Sequence, residues 1–431
     1  MNKIKKKNIY KIVFELASPL AIGSGKNQNT DKDMILNKLG KPFIPGSALA
    51  GITRSFLDEI NQKRYFGEME IARDDQSVKK ASESRISFTD AELMGEDFTI
   101  SVRDSVALDE CKVAVKGAKF DMEILEPGVS FQFFMEQNVY DGDEEEIADI
   151  LLSAWKNGEV LIGAKTMRGY GEIKEVKIVK KCFDLSQKEY VEKYIDFDMF
   201  SADTQWDSCP LAFAEVSNKL TIELEQNGGI SIRKYTTEVG TEEEAMPDFE
   251  QLTLHKTKDE NEVPVIPGTS WAGAFLHHLM KLDDRGNWKD LFGEVNQKNK
   301  TKKKSRIRFS ESEIKNCRDV VMTRNAIDRF SGGTVGGALF TEKTYYGGKT
   351  TLAISMQEKI SPVQVNALAA AIADLHHGYL AVGGLTSIGR GRFRVTAING
   401  REVAKDTDVY ELAVECMEEL HMSNKGESTN D

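Results

Sequence analysis

The chain has no apolar run long enough to cross a bilayer. Its lysine-rich opening (Lys3, Lys5, Lys6, Lys7) is not followed by the apolar segment of a secretory signal. A cytoplasmic protein without a membrane partner is therefore expected. Cysteine is scarce: Cys111, Cys182, Cys209, Cys317 and Cys416 are the five in 431 residues, and none forms a CxxC pair. That spacing supplies neither a zinc cage nor a disulfide framework, which leaves buried reduced thiols as their expected role. Histidine is absent from the first half. All six (His255, His277, His278, His376, His377, His421) lie in the second, which argues against an imidazole acid–base catalyst shared by both halves. Positive surplus is lacking too, with a net charge of −12. That total does not exclude nucleic acid, because phosphate contacts need only a local basic surface. Acid gathers at Asp141–Glu146, Glu242–Glu244 and Glu418–Glu419; base gathers in the first lysines, in Lys298–Arg306 and around two glycine-rich loops. The Lys298–Arg306 run fits a solvated loop or an RNA contact, and both stay open.

What the chain does have is one unusual sentence written twice. Pro42-Phe43-Ile44-Pro45-Gly46-Ser47-Ala48-Leu49-Ala50-Gly51 returns as Pro264-Val265-Ile266-Pro267-Gly268-Thr269-Ser270-Trp271-Ala272-Gly273, offset by 222. Gly163-Ala164-Lys165-Thr166-Met167-Arg168-Gly169-Tyr170-Gly171 returns as Gly383-Gly384-Leu385-Thr386-Ser387-Ile388-Gly389-Arg390-Gly391, offset by 220. Weaker anchors fall between them in the same order: Arg85–Phe88 with Arg306–Phe309, Leu108-Asp109 with Ile327-Asp328, and Gly117–Phe120 with Gly337–Phe340. An ordered series at a nearly constant offset means a tandem duplication.

Each half opens on an alternating strand, Ile9–Leu16 or Lys219–Leu224, followed by a short second one at Leu20–Ile22 or Ile230–Ile232. The Ile-Pro-Gly-Ser/Thr segment reads as a turn entering a helix, with Ser47 or Thr269 placed to cap it. Exposed amides at that end would form a phosphate cradle. A second helix, Glu145–Lys156 or Val363–His377, ends at Gly158 or Gly378 as a left-handed terminator would. A short apolar strand (Val160–Ile162, Leu380–Val382), the glycine-rich loop and a last strand (Glu172–Ile178, Arg392–Ile398) complete each copy. The order predicts an α+β fold of two tandem ferredoxin-like (RRM-like) domains. The expected boundaries are 1–180 and 215–400, with a linker at 181–214 and a terminal helix and tail at 401–431.

The paired motifs resemble those of the RAMP superfamily, and the Ile-Pro-Gly-Ser helix entry is a mark of its type III CRISPR backbone subunits. Two such domains in one chain resemble the fused subunits of type III-D systems. The resemblance implies glycine-rich loops that hold a CRISPR guide RNA through its backbone, with inserted β-hairpins near Leu108–Phe120 and Ile327–Phe340. It implies RNA contacts at Gly46, Ser47, Arg54, Gly268, Thr269, Lys165, Arg168, Gly169, Gly171, Gly389, Arg390, Gly391 and Arg392, with Arg103 and Arg324 completing the set. A tight structural turn is the alternative for both glycine loops. The family often has Lys where Ala50 and Ala272 stand, and an Arg that Arg54 supplies but Leu276 does not.

The resemblance further implies cleavage of complementary target RNA by an aspartate in the loop before the proline motif, usually with a divalent metal, Mg²⁺ or Mn²⁺. The first half offers Asp31, preferred, and Asp33; the second offers Asp248. Asp31 and Asp248 are the candidate metal ligands, and a solvated loop acid is the alternative for all three. The expected partners are guide RNA, target RNA and other type III effector subunits. Three other readings compete: a non-cleaving two-domain capping subunit, a histidine-dependent guide-processing nuclease, and an unrelated interaction protein on the same scaffold.

Overall fold

The computed structural model describes residues 3–23, 33–71, 78–108, 114–143, 146–211, 218–234, 247–255, 262–282, 286, 288–296, 301–356 and 359–423. Period-two alternation builds the first strand of each half. In β1 (Ile4–Leu16), Tyr10, Ile12, Phe14 and Leu16 face inward and are buried. The first half continues through α1 (Gly46–Arg54), β2 (Ile86–Phe88), β3 (Ile100–Leu108), β4 (Ala114–Leu125), β5 (Ser130–Tyr140), α2 (Glu146–Lys156) and β6 (Ile173–Asp184). Its core sheet runs β6-β1-β5-β2, all antiparallel, with Ile12 between Ile178 and Phe133. That is the fourth-first-third-second order of a ferredoxin-like sheet. Strands β3 and β4 form a hairpin inserted between the second and third core strands.

Both helices cover one face. Trp155 of α2 is fully buried against Phe14 and Phe133, with ring centroids 5.5 and 4.9 Å away. Its indole Nε1 donates to Thr53 Oγ1 of α1 at 3.1 Å. A buried indole needs such an acceptor, and this one fixes the two helices to each other.

After α3 (Lys188–Ile195), the second half runs through β7 (Lys219–Asn227), β8 (Gly229–Ile230), β9 (Phe249–Gln251), α4 (Gly268–Leu282), β10 (Ile307–Phe309), β11 (Arg318–Ile327), β12 (Thr334–Tyr346), β13 (Lys349–Met356), α5 (Pro362–His376), β14 (Arg392–Ile398) and α6 (Val409–Ser423). Its sheet, β10-β13-β7-β14, repeats the same order, and β11–β12 is the inserted hairpin. Here the anchoring indole sits on the first helix: Trp271 Nε1 donates to Ser312 Oγ at 3.1 Å. Helix α5 starts in a capping box, Ser361 with Gln364. It stops before Gly378, at φ +77°, as α2 stops before Gly158, at φ +66°.

The chain divides into two compact units: Met1–Val102, Met122–Thr166 and Tyr170–Glu215 form one, and Arg103–Asp121, Met167–Gly169 and Val216–Asp431 the other. The expected linker carries α3 and packs on the first unit. Phe183 meets Tyr194 and Phe197 at 5.4 and 5.1 Å, while Phe134 meets Phe200 and Trp206 at 5.2 and 5.8 Å. Helix α6 buries Val409, Ala413, Cys416 and Met417 in the second core.

Some local expectations fail. Val160–Ile162 and Leu380–Val382 join no sheet; Ile162 and Val382 donate instead to Gly171 O and Gly391 O, both at 2.9 Å. The returning glycine loop, rather than a ladder, takes their amides. The second short strands shrink to a Leu20–Leu125 bridge and to β8. All four described cysteines are free; Cys416 is buried as expected, but Cys182 is exposed. Among the described residues no helix is long and apolar enough to cross a membrane.

Candidate functional site

The glycine of each helix entry is there for packing. A Cβ on Gly46 would stand 2.8 Å from Phe88 O, and one on Gly268 would overlap Phe309 O. Both glycines are buried. Pro45 occupies the cap position of α1 without a side-chain bond, so Ser47 does not cap. The orphan amide of Gly46 donates instead to Asp90 Oδ1 at 2.7 Å, a carboxylate at the positive end of a helix. Ser47, Gly51, Arg54 and Thr269 are exposed, and no atom lies within 4 Å of a Cβ built on Gly51 or Gly273. Arg54 Nε donates to Gln62 Oε1 at 3.2 Å.

The two glycine-rich loops share a backbone. Gly163 and Gly383 have φ of +82° and +88°, Lys165 and Leu385 +63° and +54°, Gly169 and Gly389 +89° and +88°, Gly171 and Gly391 +74° and +73°. Each encloses one 3₁₀ turn, Thr166–Arg168 or Thr386–Ile388. Two bulky residues held left-handed at the same place show that the fold dictates this shape. The side chains differ. Lys165 is half-buried, Arg168 lies over the Phe120 ring at 5.6 Å, and exposed Arg392 donates to Gly378 O at 2.8 Å. Beside the second loop, His277, His278, Lys281, Tyr379, Ser387 and Arg392 line a basic cleft of about 240 Å³. His278 Nε2 is paired with Asp374 Oδ2 at 2.6 Å.

Three arginines expected on RNA are engaged by carboxylates. Arg103, only 6% exposed, holds Glu311 with both terminal nitrogens, at 2.6 and 3.2 Å. Arg324 of β11 and Arg390 of the second loop share Glu342 of β12, the Arg390 bond measuring 3.2 Å. Arg390 also donates to the Tyr346 hydroxyl and lies over that ring at 4.9 Å. Sequence reasoning missed Asp90, Glu311, Glu342 and Tyr346, whose positions in the chain carry no local signal of these partners.

Asp248 lies against the second strand of its hairpin, and in the first half the residue after Asp33 meets the second strand of the other. Asp248 is exposed, immediately precedes β9, and its Oδ2 accepts from the Thr341 amide of β12 at 2.7 Å. In the first half Asp33 is half-buried, and the next amide, Met34 N, donates to Glu123 Oε2 of β4 at 2.8 Å. Asp31 lies outside the described residues. Among those residues no three His, Cys, Asp or Glu side chains converge. The described residues therefore do not form a cage for a metal ion.

Among curated proteins, the CRISPR system Cms endoribonuclease Csm3 of Methanocaldococcus jannaschii is 28% identical over 218 residues, covering 44% of this chain and 85% of that protein. Among solved structures, a chain of the type III-B Cmr-beta complex bound to cognate target RNA matches at 17% identity and a TM-score of 0.30, over 40% of this chain and 61% of its own length. The family model of the RAMP superfamily matches residues 13–174 and 248–394. With one matched region on each ferredoxin-like sheet and most of the sequence inside them, this chain belongs to the RAMP superfamily.

Proposed function

We propose that the chain is a guide-RNA-binding backbone subunit of a type III CRISPR interference complex that cleaves complementary target RNA at one aspartate-dependent site in each half. The observation that carries this reading is the Asp248 carboxylate on the Thr341 amide of the second inserted hairpin, with Met34, the residue after Asp33, bonded to Glu123 of the first. Membership of the RAMP superfamily and the endoribonuclease named among its relatives support it. Guide phosphates would lie on Ser47, Arg54, Lys165 and Arg168 in the first half, and on Thr269, Gly389 and Arg392 in the second. Backbone contacts of this kind position RNA without reading its sequence.

The reaction uses the RNA's own nucleophile. The 2′-oxygen forms a bond to the adjacent phosphorus while the bond from phosphorus to the 5′-oxygen breaks. The 2′-hydroxyl proton passes to the aspartate carboxylate, and the leaving 5′-oxygen takes a proton from water. The products are a 2′,3′-cyclic phosphate and a 5′-hydroxyl. Holding the nucleotide in line supplies much of the acceleration, because orientation alone is worth up to about 7–11 kcal/mol in favourable cases. Mg²⁺ or Mn²⁺ would be required by the assembled complex.

The test is target cleavage by the complex reconstituted with guide RNA, with and without Mg²⁺, comparing wild type with Asp31→Ala, Asp33→Ala and Asp248→Ala. Each active site predicts the loss of one distinct product, which also chooses between Asp31 and Asp33. Unchanged products from an intact assembly would leave the chain as a non-cleaving scaffold.

A further inference from the structure

We infer that Arg324, Glu342 and Arg390 form a strut tying the second glycine-rich loop to the strand that positions Asp248, which makes Glu342 and Arg390 positioning residues for the second cleavage site. The inference rests on the role proposed for Asp248.

Glu342 lies on β12, 3% exposed, and receives Arg324 from the neighbouring strand and Arg390 from the loop. Arg390 is itself 6% exposed and enclosed by Tyr346 and the bare backbone of Gly229, where a Cβ would come within 2.9 Å of Arg390 Nη1. The loop's Gly391 amide donates to Gly229 O at 2.8 Å, and β8 pairs with the end of β12. One residue before Glu342, the Thr341 amide holds the Asp248 carboxylate. Strand β9, which begins directly after Asp248, runs parallel to β12 with Phe249 opposite Glu342. The loop and the candidate acid are therefore referenced to adjacent residues of β12, Glu342 and Thr341.

Stability does not account for this arrangement. Two guanidinium groups face one carboxylate, and Glu342 Oε1 is buried without a partner. Buried ionic clusters of this kind are often no more stable than apolar packing of similar volume. At the offset of 220, Glu342 and Arg390 correspond to uncharged Met122 and Tyr170, both buried, so the first half does without the ion cluster at these positions. What the ionic cluster adds is direction. Its hydrogen bonds fix the Arg390 backbone relative to β12, so a shift of the loop is carried to Thr341 and hence to Asp248.

The experiment compares reconstituted complexes carrying Glu342→Gln, Arg390→Ala, Arg390→Lys or Asp248→Ala under single-turnover conditions. The first-half product in the same reaction is the internal control. Glu342→Gln and Arg390→Ala are expected to slow the Asp248-dependent product by about 10- to 100-fold, the range that a displacement near 1 Å produces. Target affinity and the first-half product stay unchanged, and Arg390→Lys, which keeps the ion pair, recovers most of the rate. Exchange of the Thr341 amide, which needs no activity, accelerates in Glu342→Gln. If Asp248→Ala removes a product that Glu342→Gln and Arg390→Ala leave at full rate, the strut is overturned and the site stands. A fall in both products together, or in target affinity, marks a purely structural role and overturns it as well. If Asp248→Ala removes no product, the site assignment itself fails, and unchanged Thr341 exchange would then remove the strut too.

Discussion

Alanine at Gly391 is expected to destabilise the second unit severely, whereas alanine two residues earlier, at Gly389, is not. Both glycines are left-handed, at φ +73° and +88°. For an L-residue that conformation costs about 1–2 kcal/mol. At Gly389 nothing lies within 4 Å of the added Cβ, so this is the whole effect. At Gly391 the new carbon would overlap the Val382 carbonyl oxygen and stand 2.8 Å from its carbon and 3.0 Å from its nitrogen. Val382 is fully buried and donates to Gly391 O at 2.9 Å. Backing away breaks that bond and strands a buried amide, at a further cost of about 1–3 kcal/mol. The total is about 2–5 kcal/mol against about 1–2. At about 2–4 °C per kcal/mol for a unit of this size, Gly391→Ala should lower Tm by on the order of 10 °C and Gly389→Ala by a few degrees. Calorimetry on the full chain resolves the pair. Gly171→Ala, whose Cβ meets Ile162 in the same way, repeats the experiment in the first unit. Equal shifts for Gly391→Ala and Gly389→Ala would refute the claim that close approach, rather than dihedral preference, fixes the glycine.

Thr53→Val keeps the shape of the side chain but removes the acceptor of the Trp155 indole. It should shift the urea midpoint by the equivalent of about 1–3 kcal/mol, with Thr53→Ser retaining most of the stability; an unchanged midpoint would show that the bond does not hold α1 to α2. Burial pushes the His376 imidazole below its usual 6.5, with the neighbouring His377 and Arg394 acting the same way against its bond to Val395 O. The unfolded chain therefore binds the proton first as the pH falls. This contribution to stability is complete above about 6.5 and declines as the pH drops from there toward the folded value. Denaturation midpoints between about pH 7.5 and pH 5.5 should show that decline in wild type and a flatter profile in His376→Gln. Identical profiles would assign the acid sensitivity elsewhere.

The duplication was legible because it acts on residues whose identity the backbone demands. The offset of 220 to 222 located two strands, two helices and a loop in each half before any contact was known, and alternation along Lys219–Leu224 was enough to orient β7. The side-chain partners were not legible. Asp90 reaches the Gly46 amide across 44 residues, Glu342 reaches Arg390 across 48, and Glu311 reaches Arg103 across 208. An arginine beside a glycine loop reads as a phosphate ligand until the carboxylate that neutralises it is seen. Val160–Ile162 misled for a related reason. An apolar triplet announces burial, but its hydrogen-bond partner is a glycine on the far side of the loop, and periodicity carries no information about that.

The positions where the repeat breaks are as informative as those where it holds. It holds at Gly46 and Gly268 and at Gly171 and Gly391, where a Cβ would collide with backbone. It breaks where side chains face one another or solvent: Arg54 against Leu276, Lys165 against Leu385, Arg168 against Ile388, Met122 against Glu342 and Tyr170 against Arg390. The first three changes take positive charge from the second loop and its helix. The last two place charge inside the second fold, at the base of its hairpin. A duplicated domain that needed only to keep its shape would have no reason to place charge at these buried positions, since uncharged Met122 and Tyr170 occupy them in the first copy. The redistribution points to a division of labour. Under the function proposed above, the first half would offer Arg54, Lys165 and Arg168 to RNA, while the second keeps Arg390 on Glu342, where it joins the loop to the hairpin.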